Sequence, residues 1–468
     1  PKELKNITFI DTSCKANAEF LCAIYNRLRN ELKDVMMEPG LSVHILENQL
    51  FGLALSEPSA FQAQTKLYGK PDGNRNIKYI SDYINIVKST NKPKKKSGEN
   101  GIHSELYIRV LGDDKIYSEK GVFADMRFDV IMGNPPYQEP TDKGGKDAPL
   151  YHLFIDKAKE LNPNYLSFII PARWYIPSTG LGIGRFTPNM INDKCITDLH
   201  DWRVSTDVFA NLKIQGGVCF FLRNKQADNP QCLCSITFRN KEIDEDYTKE
   251  KYPPVVRPLN TAGLGMFIRE EALATIATTV KYKSEHFMDS GITKNPYHFP
   301  TNMLTIHSKD DLENPIRVWK KGGLTDWVER ADVMRAPEEL DTYRVLCAEA
   351  GSNDLRIPNV VTGRPFIIEP GDACTETYLR IWVGKSKKEC ENVAAYLKTK
   401  FVRALMFVVK SSQHIGKQGY QCVPIMDFSR TWTDQDLYKY FGLDTLVIDK
   451  ATGQTAEQYI ESIIKPMD

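Results

Sequence analysis

The chain has 468 residues, room for two or three domains, and its 61 Lys and Arg against 60 Asp and Glu leave a net charge of +1. Nucleic-acid binding therefore cannot be argued from bulk charge and needs a local basic surface. A hydrophobic content of 41% and an aromatic content of 10% suit a soluble, cytoplasmic globular protein, and no apolar run of membrane-spanning length or signal-peptide pattern stands out.

Residues 6–11, Asn-Ile-Thr-Phe-Ile-Asp, read as a strand ending in an acid, followed by a helix over 18–32 with apolar residues at Phe20, Leu21, Ile24, Leu28 and Leu32. A second strand is predicted over 49–55 and a helix over 58–67. Residues 90–101, rich in Lys, Gly and Asn, are a loop or insertion. Strands follow at 106–111 and 128–133, a helix at 151–161, strands at 166–171 and 217–222, and a strand edge at 198–202. This alternation argues for an α/β domain with a Rossmann-like, doubly wound sheet over residues 1–254. Beyond 255 the alternation is lost. Short strands at 317–319 and 378–383 mix with helices over 386–410, 433–441 and 455–464, giving an α+β domain over 255–468. The ten cysteines are scattered, with only Cys232 and Cys234 close together. Without a C-x-x-C pair they read as reduced core thiols, and no metal site is expected. The run from Pro1 almost directly into a strand suits a segment of a longer protein.

The most informative run is Asn134-Pro135-Pro136-Tyr137, directly after the apolar strand. Neither proline has an N–H to donate and both fix φ, so the chain must leave the sheet in a rigid turn. That turn gathers an amide side chain, a free carbonyl and an aromatic ring. Such a cluster accepts two hydrogen bonds from a planar amino group and stacks a ring over the plane carrying it. The bland alternative is a strand ending in a proline turn with one exposed tyrosine.

With its strand context the run resembles the catalytic motif (Asn/Asp/Ser)-Pro-Pro-(Tyr/Phe) of amino-methyltransferases that use S-adenosylmethionine. The resemblance implies that the first strand and its turn hold this cofactor. The usual pattern is Asp-x-x-x-Gly-x-Gly-x-Phe-Leu. Here it reads Asp11-Thr12-Ser13-Cys14-Lys15-Ala16-Asn17-Ala18-Glu19-Phe20-Leu21, with one extra residue. Asp11, Cys14, Lys15, Asn17 and Phe20 are the implied contacts. Lys15 and Asn17 replace the glycines, and Asn tolerates positive φ better than most residues. For the ribose, Glu57 is the candidate acid, the alternative being backbone with Ser56 and an ordinary acid at a helix N-terminus. For the adenine amino group, Asp113 is preferred over Asp82 because it lies nearer the catalytic strand in sequence.

Further segments resemble the Eco57I-type restriction-modification methylases: Leu150-Tyr151-His152-Leu153-Phe154, Ile169-Ile170-Pro171-Ala172-Arg173-Trp174, Gly216-Gly217-Val218-Cys219-Phe220-Phe221-Leu222 and, in the tail, Val423-Pro424-Ile425-Met426-Asp427-Phe428. Members of that family are adenine-N6 DNA methyltransferases, ordered as cofactor site, catalytic site and target-recognition domain. The resemblance implies double-stranded DNA as partner. A nuclease or helicase portion would lie upstream in the same polypeptide, or in a separate restriction subunit. It implies a flipped adenine whose N6 amino group hydrogen-bonds to the Asn134 side-chain oxygen and the Pro135 carbonyl, in a turn stiffened by Pro136. Tyr137 would stack on the base, worth roughly 1–3 kcal/mol for such contacts. Lys320, Lys321, Lys410, Gln413 and His414 are the candidate DNA contacts of the second domain, each against the plainer reading of a surface loop. Amino methylation of an RNA adenine or a glutamine, and a DNA-specificity module with weakened catalysis, are the alternatives.

Overall fold

The computed structural model of the protein describes residues 3–70, 76–79, 127–139, 148–177, 183–214, 216–239, 254–303, 308–348, 351, 357–410 and 415–467. The strand predicted over 106–111, the loop 90–101, and Asp82, Asp113, Gln413 and His414 lie outside the described residues. The chain divides into two compact units, Pro1–Leu259 and Asn260–Asp468.

The first unit is α/β with a large mixed sheet. Its strands are β1 (Phe9–Cys14), β2 (Leu50–Ala54), β3 (Ile77–Tyr79), β4 (Val130–Gly133), the short pair β5 (Gln138–Glu139) and β6 (Ala148–Pro149), β7 (Tyr165–Pro171), β8 (Ile196–Trp202), β9 (Val218–Asn224), β10 (Leu233–Arg239) and β11 (Val255–Pro258). Nine of these described strands form one sheet in the order β11-β10-β8-β9-β7-β4-β1-β2-β3. β3, β2, β1, β4 and β7 run parallel, β9 lies antiparallel between β7 and β8, and β11 is antiparallel to β10. β2 is buried along its whole length and β1 almost so, as expected of central parallel strands covered on both faces.

Three helices, α1 (Glu19–Leu32), α2 (Gly40–His44) and α3 (Glu57–Tyr68), belong to the β1–β3 side. α1 turns Leu21, Leu28 and Leu32 inward. α3 begins at Ser56, whose hydroxyl accepts from the Ser59 N–H at 3.3 Å, and ends at Gly69 with φ 80°. β1, β4 and β7 are pinned at their amino ends by Asp129. Its carboxylate accepts from the Thr8 N–H at 2.9 Å and from the Asn164 amide at 2.9 Å.

The order reverses between β1 and β4: β2 and β3 extend to one side, β4 and β7 to the other. At such a switch point neighbouring loops leave in opposite directions and open a crevice beyond the carboxyl ends of the strands. Ser13–Lys15 and Asn134–Tyr137 stand at that crevice. Two elements differ from the sequence reading. β8 is a full seven-residue strand: its Asp198 is half-buried, and its buried Asp201 accepts from the Tyr175 hydroxyl at 2.7 Å. β10 and β11 extend the sheet beyond the last strand predicted for the first domain, and β11 pairs with β10 although it lies past residue 254.

The second unit is α+β. β12 (Thr293–Lys294), β15 (Tyr343–Ala348), β16 (Phe366–Ile368) and β18 (Tyr378–Gly384) form an antiparallel sheet; β13 (Pro315–Trp319), β14 (Thr325–Glu329) and β17 (Asp372–Cys374) form a second, with β17 parallel to β13. The buried Arg344 joins their cores by donating to the Tyr297 hydroxyl at 2.8 Å and to the Asp372 and Glu369 carbonyls at 2.8 and 2.7 Å. The helix predicted over 386–410 is two helices, Lys387–Lys398 and Lys400–Val408. Thr399 adopts ψ 149° and caps the second through Val402 N–H.

Candidate active site

A cavity of about 270 Å³ opens at the switch point, lined by Ser13, Cys14 and Lys15 at the end of β1, Leu55 and Ser59 after β2, Asn134 to Tyr137 after β4, and Phe209 and Leu212 after β8. The predicted catalytic run is thus brought together with three residues of the predicted cofactor turn. Gly133 makes this possible. A Cβ there would stand 2.6 Å from Ser13 Oγ, 3.1 Å from the Phe168 ring and 3.3 Å from Thr12 Oγ1. Only a residue without a side chain lets β4 leave the sheet so close to β1.

Beyond Gly133 the prolines hold the chain extended, and Tyr137 returns to regular pairing: its carbonyl accepts from the Leu150 N–H at 3.0 Å, and β5 pairs with β6. Asn134 is half-buried with its amide making no hydrogen bond among the described residues, so its oxygen remains available to a donor. The Tyr137 hydroxyl is buried and has no partner among the described residues. Burial and the nearby Cys219 push its pKa up, so it stays a neutral hydroxyl. The ring shares in the cavity wall while its polar tip points into protein.

The turn expected to hold a cofactor departs from the sequence reading. Asp11 is 2% exposed and does not line the cavity. Its carboxylate accepts from the Ser13 N–H at 2.9 Å and shapes the turn from within. Burial pushes its pKa up to about 7, against the lowering effect of the Ser13 hydrogen bonds and Lys15. The left-handed residue is Ala18, at φ 44° and ψ 40°, rather than Asn17, which is exposed and away from the cavity. The Ala18 N–H closes the turn on the Lys15 carbonyl at 2.9 Å. Phe20 is also outside the site, 37% exposed, while Leu21 is buried. The extra residue of this turn explains it: one residue advances a helix by about 100°, enough to carry a side chain off the face it would otherwise share. Glu57 is exposed in the first turn of α3 and does not line the cavity; Leu55 and Ser59 represent the β2 side.

Ser13, Leu55, Ser59, Phe209 and Leu212 were missed from sequence. Ser59 carried a usable signal, standing three residues after a helix-capping serine and so facing back over the strand end. Phe209 and Leu212 lie on a loop with no periodicity to read.

Among the described basic candidates of the second unit, Lys410 and Lys320 are engaged within the protein. Lys410 is 7% exposed, and its ammonium donates to the Val361 carbonyl at 2.7 Å. Being buried, it is a structural lysine, contrary to the expected DNA contact. On the same face Arg403 donates to the Lys465 carbonyl at 2.6 Å and Lys400 pairs with Glu461. Lys320 lies 3.5 Å from Asp326, and Lys321 is exposed in the turn Lys321–Gly323.

Residues 48–209 match the family described as Eco57I restriction-modification methylase. The resemblance carried by the Asn-Pro-Pro-Tyr motif is thereby shown over this stretch. It spans β2 to Phe209 and includes the Asn134–Tyr137 turn. An uncharacterized adenine-specific methylase of Mycoplasma pneumoniae is 27% identical over 248 residues, 45% of this chain and 58% of that protein. The chain therefore spans little more than half the length of this curated relative. Two solved structures align over most of the chain: the nuclease-deleted Type ISP restriction-modification enzyme LlaGI, at TM-score 0.48 and 8% identity over 88% of this chain and 43% of that one, and the Type IIL enzyme MmeI, at TM-score 0.43 and 11% identity over 89% and 61%. No helix among the described residues is long and apolar enough to cross a membrane.

Proposed function

We propose that the chain is a site-specific DNA methyltransferase of a restriction-modification system, acting on the N6 amino group of a flipped adenine. The observation that carries this reading is one cavity lined both by Asn134–Tyr137 and by Ser13–Lys15 at the sheet's switch point. The described lining suits S-adenosylmethionine in part. Lys15 offers a cation for its carboxylate, and small side chains at Ser13, Cys14 and Ser59 leave room beside the backbone. An acid for its ammonium or ribose is not among the described lining residues. When bound there, the cofactor supplies an electrophilic methyl group.

The protein's own residues do the remaining work. The Asn134 Oδ1 and the Pro135 carbonyl accept hydrogen bonds from the target amino group, which turns the nitrogen lone pair out of ring conjugation. Pro135 and Pro136 hold both acceptors in one geometry, so little ordering is needed when the base arrives. The Tyr137 ring stacks on the base, and Phe209 and Leu212 supply apolar surface that excludes water. Lys321 and the second unit would provide contacts to double-stranded DNA, and a nuclease or further subunit would complete a restriction system.

The test is methyl transfer to duplex DNA from labelled S-adenosylmethionine, with the product located by modification-sensitive sequencing. N6-methyladenine at a fixed motif is expected. Asn134→Ala should lower transfer at least a hundredfold with folding intact, as for loss of a positioned polar group at a reacting centre. Wild-type transfer by Asn134→Ala, or no transfer to any duplex by the unaltered protein, would refute the reading.

A further inference from the structure

The antiparallel strands β13 and β14 of the second unit are joined by residues 320–324, in a turn with a rigid foot and a bare tip. The Lys320 N–H donates to the Leu324 carbonyl at 2.7 Å, and the Gly323 N–H to the Lys320 carbonyl at 3.2 Å. The hydroxyl of Tyr378, on β18, donates to the same Lys320 carbonyl at 3.0 Å, and the Lys320 ammonium lies 3.5 Å from Asp326. Below this foot Arg317 donates twice to Asp372, at 2.9 and 2.8 Å, and Trp319 Nε1 donates to that carboxylate at 3.1 Å. Beyond it Lys321, Gly322, Gly323, Leu324 and Thr325 are all exposed. Gly322 and Gly323 take φ 78° and 77°, and no atom lies within 4 Å of where a Cβ would stand on either. Their conformation asks for glycine, and the open space leaves the backbone free to be approached.

Leu324 is 67% exposed. A single exposed leucine means little by itself; this one stands beside two bare glycines on a fixed turn. The acids of the surrounding strands, Asp326, Glu329 and Asp372, all accept hydrogen bonds within the protein. Lys321 has no ion-pair partner. The tip therefore presents one cation, bare peptide groups and one apolar side chain, with no carboxylate among residues 320–325. A DNA groove offers the complement of each: phosphate oxygens along its rim, and base edges with polar atoms and the thymine methyl on its floor. The major groove, about 12 Å wide, admits a two-stranded β-ribbon. We propose that the β13–β14 turn enters the major groove of duplex DNA, with Lys321 on a backbone phosphate and Leu324 against a base edge at one position of the target. Lys321 sets register and carries no sequence information; Leu324 carries some. The proposal rests on the reading of duplex DNA as the substrate and adds the element that touches it.

The experiment compares Lys321→Ala and Leu324→Asn with the unaltered protein, on the full chain. Both side chains are exposed, so both variants should fold and melt as the unaltered protein does. Affinity is read by fluorescence anisotropy on a pool of random duplexes over a salt series. Lys321→Ala should bind about fivefold to tenfold more weakly near 0.1 M salt, and its plot of log affinity against log salt should be shallower by about 0.9, the loss of one phosphate contact. Leu324→Asn should bind the random pool as the unaltered protein does. Its specificity, read by modification-sensitive sequencing, should relax about fivefold or more at a single position of the motif, the size of one base-pair preference. An unchanged salt slope in Lys321→Ala, or an unaltered motif in Leu324→Asn, would overturn the proposal. If the unaltered protein binds duplexes but methylates none, the functional reading fails, and specificity is read instead from the duplexes it retains out of the random pool. An unaltered protein that retains no duplex would overturn the proposal as well and leave a protein partner for the turn.

Discussion

Replacing Asp11 with Asn should make the protein more stable at alkaline pH, although Asp11 is the acid best matched to a cofactor motif. The carboxyl is 2% exposed, and its pKa is pushed up to about 7 from an ordinary 3.8, chiefly by burial. The sign follows from proton binding. Between pH 3.8 and 7 the folded state holds a proton that the unfolded state has released, so stability falls as pH rises through this window. At about 1.4 kcal/mol for each tenfold change in proton affinity, the loss between pH 5 and pH 8 is about 3 kcal/mol. The substituted amide would keep an Oδ1 to accept from the Ser13 N–H, a contact of 2.9 Å in the wild type, and would carry no charge. Urea unfolding at the two pH values, read by hydrogen exchange in the β1 peptide so that the first unit is followed by itself, should show the loss in the wild type and not in Asp11→Asn. An Asp11→Asn protein with the same pH dependence, or one equally destabilised at both values, would refute the reasoning.

Gly133→Ala should cost about 1–3 kcal/mol, because its Cβ would stand 2.6 Å from Ser13 Oγ at the cavity wall; an unchanged urea midpoint would mean that Ser13 swings clear at no cost. Lys410→Met should lower stability by about 1–3 kcal/mol through the orphaned Val361 carbonyl, now accepting at 2.7 Å, without changing DNA affinity in a salt titration. A loss of DNA affinity at unchanged stability would return Lys410 to the interface. His152→Phe bears on acid stability. Burial lowers the His152 pKa to about 4 from 6.5, so the unfolded state takes up the proton first as pH falls through that window. Stability is then full above pH 6.5 and lost towards pH 4. The Phe variant should show a shallower loss over this range in thermal melts, and an unchanged profile would reassign the effect.

Much of the first unit was legible because its strands are short apolar runs closed by turn residues, a signal carried by nearest neighbours alone. Asn134–Tyr137 was legible for a stronger reason. Two prolines dictate local geometry whatever surrounds them, and the fold had only to place the turn at the switch point. Side chains acting through distant partners were not legible. Lys410 reads as surface-seeking until the Val361 carbonyl, 49 residues away in sequence, is seen to receive it. Thr399 reads as mid-helix until its side chain is found capping Val402 while the carboxylate of Asp434 takes the Lys400 and Phe401 N–H groups. Phe209 and Leu212 face the cavity from a loop with no pattern.

The turn after β1, proposed here to hold the cofactor, carries no glycine and still closes. A glycine there allows a left-handed residue and leaves backbone bare to a ligand. This chain separates the two jobs. Ala18 takes the left-handed conformation, at a cost of roughly 1–2 kcal/mol for an L-residue. Its methyl is fully buried against Cys14, Leu21, Ala63 and Ile77, which offsets part of that cost. The turn can move to Ala18 because the loop is one residue longer, and the same residue rotates Phe20 to the surface. At the cavity wall, Lys15 replaces bare backbone with a flexible cation. Affinity for an anionic ligand group at this wall should then depend on the Lys15 charge and weaken with salt, where a glycine-lined turn would hold it through backbone N–H groups and respond little.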